Sequence, residues 1–228
     1  MLKTTSSAVN SAATRSALQQ AAARLAVSLS DQQVSDLLAY LNLIVKWNKV
    51  YNLTAIRDPA EMLTHHLLDS LAIVAPLNRH ILRHPSAGAA INLLDVGAGA
   101  GLPGVVVAIC CPQVTVTCVD AVAKKMAFVQ QVATELKLPN LKALHARVET
   151  LTDKYDIITS RAFATLLDFV TGSRAALKPD TGVWLAMKAK DTAVEVAALP
   201  ADVEVFHVEQ LVVPGLDAER CIVWMRAK

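Results

Sequence analysis

The 228-residue sequence has no apolar run near the roughly 20 residues that a membrane-crossing helix requires, although 54% of it is hydrophobic. Its longest such runs, around Val105 to Cys111, fall far short, so no membrane partner is expected. Cysteine is scarce: the four residues include the adjacent pair Cys110 and Cys111, with no Cys-x-x-Cys and no histidine at ligand spacing. That pattern argues against a structural metal and for buried thiols in a reducing, cytoplasmic setting. No acidic side chain precedes Asp31, while Lys3, Arg15 and Arg24 are scattered among Ser, Thr and Ala. An organellar transit peptide has this composition; a mobile bacterial extension leading into an Ala-rich helix is the preferred reading. There is no internal repeat, and the length suits one α/β domain with an appendage rather than two large domains.

The formal net charge is only +2, but it is unevenly spread. Residues 1–190 hold 19 basic and 13 acidic side chains, whereas 191–209 hold five acids and no Lys or Arg. This asymmetry permits a polyanionic partner without demanding one.

What is present is concentrated in INLLDVGAGAGLPGVVVAI, Ile91 to Ile109, an apolar strand that enters a glycine-dense turn and runs on into a helix. Gly97, Gly99 and Gly101 can take positive φ and carry no Cβ, so the backbone can bend sharply and lie against the ribose and amino-acid portions of a ligand. Leu102 and Pro103 are expected to open the helix, since proline is tolerated in a first turn. A second strand, Val114 to Val119, delivers Asp120 about twenty residues past the glycines, where a carboxylate can accept hydrogen bonds from two ribose hydroxyls. A dinucleotide fingerprint needs G-x-G-x-x-G, and its third glycine is here Leu102. The frame is instead acidic-x-G-x-G-x-G, Asp95 to Gly101, which resembles S-adenosylmethionine (SAM) methyltransferases of the Rossmann-like class, where the acidic residue helps hold the methionine end. A glycine turn in a purely structural α/β domain is the plain alternative.

Ser30 with Gln33 forms a capping box, and Val34, Leu37, Leu38, Leu41 and Val45 follow at helical spacing, predicting a helix that ends near Trp47. Asp58, Pro59 and Glu61 open a second helix with Met62, Leu63, Leu67, Leu71 and Val74 on its apolar side. Strands are predicted near 91–96, 114–119, 141–145, 155–159 and 182–187, with helices near 102–110, 122–137 and 163–177. Such alternation indicates a parallel, doubly wound sheet. Val203 to Val213 and Cys221 to Arg226 are joined by PGLDAER, too short for a crossover helix, so they should form an antiparallel hairpin. The expected organisation is an extension over 1–29, a helical segment over 30–85 packed on the core, and a methyltransferase core over 86–228.

Ligands of a doubly wound sheet lie beyond the carboxyl ends of its strands, which selects Gly97 to Gly101, Asp120, Arg147 to Glu149, Ser160 and Arg161. Val148 could pack on an adenine face with Glu149 or a nearby N–H at its edge; equally, Arg147 and Glu149 could be a solvated turn pair. After the fourth strand, YDIITSRAF lacks the Asn/Asp-Pro-Pro-aromatic run used to methylate exocyclic amines and the cysteine nucleophile of carbon-5 enzymes. Arg161 stands there instead, a fixed cation suited to a phosphate, a guanine acceptor edge or a cofactor carboxylate. Guanine N7 already offers a lone pair and sheds no proton on methylation, so alignment could supply up to about 7–11 kcal/mol without a general base. Asp69 lies one turn beyond His65 and His66 and could orient an imidazole; His66 is an RNA-contact candidate, although a core-edge role is the commoner one. KWNKVYNLT sets Lys46 and Lys49 beside Trp47 and Tyr51, as a base-stacking, phosphate-touching surface would, or as core aromatics with solvated lysines would. Lys124, Lys125, Arg147, Lys188 and Lys190 could extend a basic rim or simply be exposed.

KWNKVYNLT, IRDPAEMLTHHLLDS, LLDVGAGAGLPG, ARVE, SRAFA and VPGLDAER together, in this order from about residue 30 to the C-terminus, resemble the RsmG (GidB) family. The resemblance implies a class I SAM-dependent methyltransferase fold and a bacterial enzyme that makes 7-methylguanosine in the 530 loop of 16S ribosomal RNA. It implies as substrate that RNA, free or in the small subunit or an assembly intermediate, and cofactor contacts at Gly97, Leu102, Val148, Glu149 and Arg161. The family often has Lys-Gly where this chain has Lys188-Ala189. A monomer is the default expectation. A SAM-dependent small-molecule methyltransferase and a non-catalytic SAM- and RNA-binding assembly module are the competing readings.

Overall fold

The computed structural model describes residues 11–83, 90–189 and 192–228. The first ten residues of the expected extension, the expected boundary at 85/86 and Lys190 lie outside the described residues.

Helix α1 (Ala12–Arg24) starts where the Ser11 hydroxyl accepts the Thr14 N–H. The capping box of α2 (Asp31–Tyr51) forms as its residues dictate: Ser30 Oγ accepts the Gln33 N–H at 3.2 Å, and Gln33 Oε1 accepts the Ser30 N–H at 2.9 Å. α2 runs one turn beyond Trp47 and stops at Asn52, which takes a left-handed φ of 49°. The second predicted helix is interrupted. It comprises α3 (Pro59–Met62), a π-helical segment Leu63–Leu68, α4 (Asp69–Leu71) and, after a short turn, α5 (Val74–Arg83). Apolar spacing cannot reveal such widening, because the buried side chains Met62, Leu67, Leu71 and Val74 all still reach the core.

The sheet contains β1 (Ile91–Val96), β2 (Val114–Asp120), β3 (Leu141–His145), β4 (Ile157–Arg161), β5 (Val183–Ala189), β6 (Val203–Leu211) and β7 (Arg220–Ala227). Their order is β3-β2-β1-β4-β5-β7-β6. The first five are parallel; β7 runs antiparallel to β6, as the short PGLDAER connection requires, and also antiparallel to β5. The chain reverses its winding between β1 and β4, so the crevice above them is where a doubly wound sheet takes its ligands. Alternation along β1 sends Leu93 to one face and Leu94 to the other, and both faces are covered. Leu37, Leu41, Leu67 and Leu71 of the lead-in helices share a core with Val105, Val116 and Phe128, so the lead-in is packed directly on the sheet layer.

Two local expectations are corrected. Pro103 is not in the first turn of α6 (Gly104–Cys110) but at its N-cap, after a cis Leu102–Pro103 bond. The helix expected over 163–177 is α8 (Leu166–Ser173), capped by Thr165 Oγ1 on the Asp168 N–H, followed by a 3-10 turn. Between α6 and α8 lies α7 (Ala123–Glu135), close to its predicted span, whereas α9 (Ala193–Ala197) had no periodic signal. No described helix is long and apolar enough to cross a membrane.

Tyr40 ties the lead-in to the glycine turn: its fully buried hydroxyl donates to the Ala100 carbonyl at 2.6 Å. Burial pushes its pKa well above the usual phenol value, keeping the donor protonated. Tyr40→Phe should cost about 1–3 kcal/mol in urea unfolding, because the Ala100 carbonyl loses its partner away from water; an unchanged unfolding midpoint would contradict that role.

Candidate active site

β1 ends in a turn whose Gly97, Gly99 and Gly101 have φ of 66°, 61° and 88°, conformations that side chains rarely adopt. The turn is stitched to β2: the Gly97 and Ala98 N–H groups both donate to the Val119 carbonyl, at 2.9 and 3.1 Å. Asp120, at the end of β2, completes the stitch. Its Oδ2 accepts the Gly99 N–H at 3.0 Å and its Oδ1 the Val122 N–H at 2.9 Å, while Lys125 Nζ lies 3.3 Å from Oδ2.

Asp95 is placed differently from the expectation. It is fully buried beneath the turn, its Oδ2 accepting the Gly104 N–H at 2.8 Å. Burial raises its pKa to about 7, opposed by the Gly104 hydrogen bond. Asp95 therefore braces the loop from inside rather than facing the crevice. Gly104 was legible only as the last residue of LLDVGAGAGLPG, yet an added Cβ would sit 2.5 Å from Cys118 Sγ and 2.7 Å from Asp95 Oδ2.

Gly97, Asp120, Arg147, Val148 and Glu149 come together on the walls of one cavity of about 210 Å³. Phe163, whose ring is 3.3 Å from where a Gly97 Cβ would lie, adds an apolar wall. Phe163 was legible only as part of SRAFA. Leu102 is buried, and its N–H is already used by the Ala98 carbonyl; Ser160 is likewise inside the sheet.

Arg161 ends β4 as a half-enclosed cation with 18% of its side chain exposed. Its Nη1 donates to the His65 carbonyl at 2.7 Å and to Asp69 Oδ2 at 2.9 Å. The other oxygen of Asp69 accepts from Arg220 Nε at 3.1 Å. Asp69 thus grips two arginines rather than orienting a histidine. Arg220, read in the sequence only as part of a hairpin connection, joins Arg161 and Lys188 on a second cavity of about 330 Å³.

Several basic-rim expectations change. His66 is buried, its Nε2 is 2.9 Å from Thr54 Oγ1, and desolvation with the Arg161 charge lowers its pKa to about 4. A neutral buried imidazole cannot serve as an exposed RNA contact. Lys125 pairs with Asp120 and Lys188 with Glu195, so neither is a solvated rim cation. Lys46, Lys49, Tyr51, Lys124 and Arg147 are exposed as expected of surface contacts. Trp47 instead packs edge-on against Phe128 with ring centroids 5.3 Å apart. Among the described residues, no cluster of three His, Cys, Asp or Glu side chains could hold a metal ion.

The family model described as rRNA small subunit methyltransferase G matches residues 33–223. Ribosomal RNA small subunit methyltransferase G of Albidiferax ferrireducens is 65% identical over 215 residues, covering 92% of this chain and 96% of that protein. Its namesake from Polaromonas sp. strain JS666 is 66% identical over 204 residues, covering 90% and 89%. Among solved structures, TrmN from Thermus thermophilus is similar in fold, with a TM-score of 0.53 at 18% identity over 70% of this chain and 49% of that one.

The buried carboxyl makes stability depend on pH. Because the folded pKa of Asp95 is raised from 3.8 to about 7, the native state binds the extra proton, and the Asp95 contribution to stability falls as pH rises from about 4 through 7, opposed by His66, whose lowered pKa of about 4 adds stability over the lower part of that window. Asp95→Asn keeps an acceptor for Gly104 and should flatten that fall, so the unfolding midpoints of the two proteins should converge or cross as pH rises across this window. Parallel pH profiles would contradict it.

Proposed function

Because the chain belongs to the rRNA small subunit methyltransferase G family, we propose that it methylates N7 of a guanine in the 530 loop of 16S ribosomal RNA, acting as a cytoplasmic monomer. The observation that carries the reading is the pairing, at the carboxyl ends of the parallel strands, of a glycine-and-carboxylate cradle with a cavity lined by Arg161, Lys188 and Arg220.

The cradle's residues fit SAM, which when bound supplies an electrophilic sulfonium methyl. Asp120 retains acceptor capacity for ribose hydroxyls, since a carboxylate offers about four lone-pair sites and its hydrogen bonds to Gly99, Val122 and Lys125 use three. Val148 and Phe163 offer apolar walls to an adenine, with Glu149 at the same cavity for its edge. Gly97, Gly99, Gly101 and Leu102 shape the loop, with Asp95 holding its underside. Arg161 is positioned for the amino-acid carboxylate or the target guanine.

The site chemistry favours a nucleophile that needs no activation. Cys118 is fully buried and its thiol is pushed well above its usual pKa by desolvation and by Asp95. It is therefore a poor candidate for the nucleophile of carbon-5 chemistry. The nearby His66 is held neutral with Nε2 committed to Thr54. N7 of guanine needs neither, and orienting it toward the methyl is the chain's main task. Lys46, Lys49, Tyr51, Lys124 and Arg147 offer exposed contacts for the surrounding RNA.

Purified protein with methyl-labelled SAM, given unmodified small subunits or free 16S RNA and then cleaved chemically at 7-methylguanosine, tests the reading. Label at one guanine in the 530 loop is expected, and the subunit-to-RNA ratio reports how far assembly is recognised. No label on either substrate, with SAM binding intact, would overturn the ribosomal assignment in favour of a small-molecule substrate.

A further inference from the structure

The second cavity opens beyond β4 and β5, and its cations are already engaged. Lys188, with 13% of its side chain exposed, places Nζ 2.8 Å from Glu195 Oε2. The same oxygen accepts, at 2.7 Å, the N–H of Leu166, the first residue of α8. A single anionic oxygen therefore receives an ammonium proton and a backbone amide proton in the wall of a cavity whose other cations are Arg161 and Arg220. Phosphate oxygens are bound by this combination of charged and backbone donors.

The two sides of the contact differ in how firmly they are held. Lys188 is carried by β5, which is hydrogen-bonded to β4 on one side and β7 on the other. Glu195 is carried by α9, a five-residue helix that buries none of its side chains, with Val194 78% exposed. Val196 and Leu199 pack only partly against the sheet. An element with so little buried surface opens at a small fraction of the global unfolding cost. The charges favour exchange as well: among the described residues Arg161 and Arg220 pair with Asp69 and Lys188 with Glu195, and moving α9 aside would take the Glu195 carboxylate away from this group of cations.

We propose that this cavity is a phosphodiester site, and that Glu195 is its internal stand-in, displaced from Lys188 and the Leu166 amide by a backbone phosphate of the RNA substrate. The inference rests on the RNA methyltransferase reading and adds to it the group that the cavity accepts. Glu195 then works as a competitor within the same chain. It keeps Lys188 paired until RNA arrives, and it weakens capture of anions too small to bring further contacts.

The test compares wild type, Glu195→Gln, Lys188→Gln and Glu204→Gln for the KM of methyl transfer to unmodified small subunits at several salt concentrations, with the Kd for SAM measured by calorimetry. Glu195→Gln keeps an acceptor for the Leu166 N–H while releasing Lys188, and should lower the KM by roughly threefold or more, as removal of a like charge from an anion site does. Lys188→Gln should raise the KM and reduce the slope of its logarithm against log salt by roughly one, the signature of one lost phosphate contact. Glu204, paired with Arg226 elsewhere on the hairpin, should leave the KM unchanged when replaced. A raised KM in Glu195→Gln would make Glu195 a brace or a guanine contact and overturn the proposal. A changed Kd for SAM with an unchanged KM would assign the cavity to the cofactor carboxylate, and competition by inorganic phosphate at constant ionic strength with an unchanged subunit KM would assign it to small free anions. If wild type itself labels neither subunits nor RNA, the RNA reading fails, and this site fails with it.

Discussion

One buried carboxylate, Asp69, joins parts of the chain that lie 92 and 151 residues apart, taking Arg161 from the end of β4 on one oxygen and Arg220 from the start of β7 on the other. Only 6% of the Asp69 side chain is exposed. An ion pair so placed contributes little net stability against an apolar replacement, but removing one partner leaves charge stranded and costs about 3–5 kcal/mol. Its value is geometric. The π-helical segment before Asp69 also offers the His65 carbonyl to Arg161, so the lead-in helices fix the direction of the cation that stands over the crevice. Widened helical turns of this kind recur at functional sites because they aim groups that a regular helix would leave elsewhere.

Two further carboxylates serve the glycine turn by different routes. Asp120 sits at the rim, accepts three donors and still faces a cavity, so it can both shape the loop and meet a ligand. Asp95 lies under the same loop with no water access and one bonded oxygen, so its contribution is support. Burial decides between these roles, since the two residues are alike in chemistry and both end an apolar strand. Lys188 and Lys125 follow the same logic: each ammonium is held by a carboxylate of its own chain, which makes it part of the site's architecture before any RNA is bound.

The fold was largely legible because local signals agreed with one another. Ser30 and Gln33 announced α2, the β-branched runs announced the five parallel strands, and the short connection before Cys221 forced the hairpin. The site was less legible, because which way a side chain points is a tertiary matter. The spacing of His66 and Asp69 fits a helix-surface pair, whereas the extra residue in the π turn turns His66 inward and gives Asp69 to two arginines from distant strands. Asp95 preceded the glycines in the frame of a ligand contact, and only its depth at the end of β1 shows that it lies beneath the loop with no exposed surface. Phe163 and Gly104 carried no periodic or charge signal; their roles follow from close approaches in space, to Gly97 and to Cys118.

The central claim is that the lead-in orients the site's arginines through Asp69. Calorimetric titration of SAM into Asp69→Asn, with Asp69→Glu as the charge-restoring control, tests it most directly. Loss of charge-assisted hydrogen bonds worth about 1.5–3 kcal/mol should weaken binding by roughly tenfold or more, with partial recovery in Asp69→Glu and cooperative unfolding retained in both. Wild-type affinity in a folded Asp69→Asn protein would show that Arg161 is oriented without the lead-in, and would contradict the account.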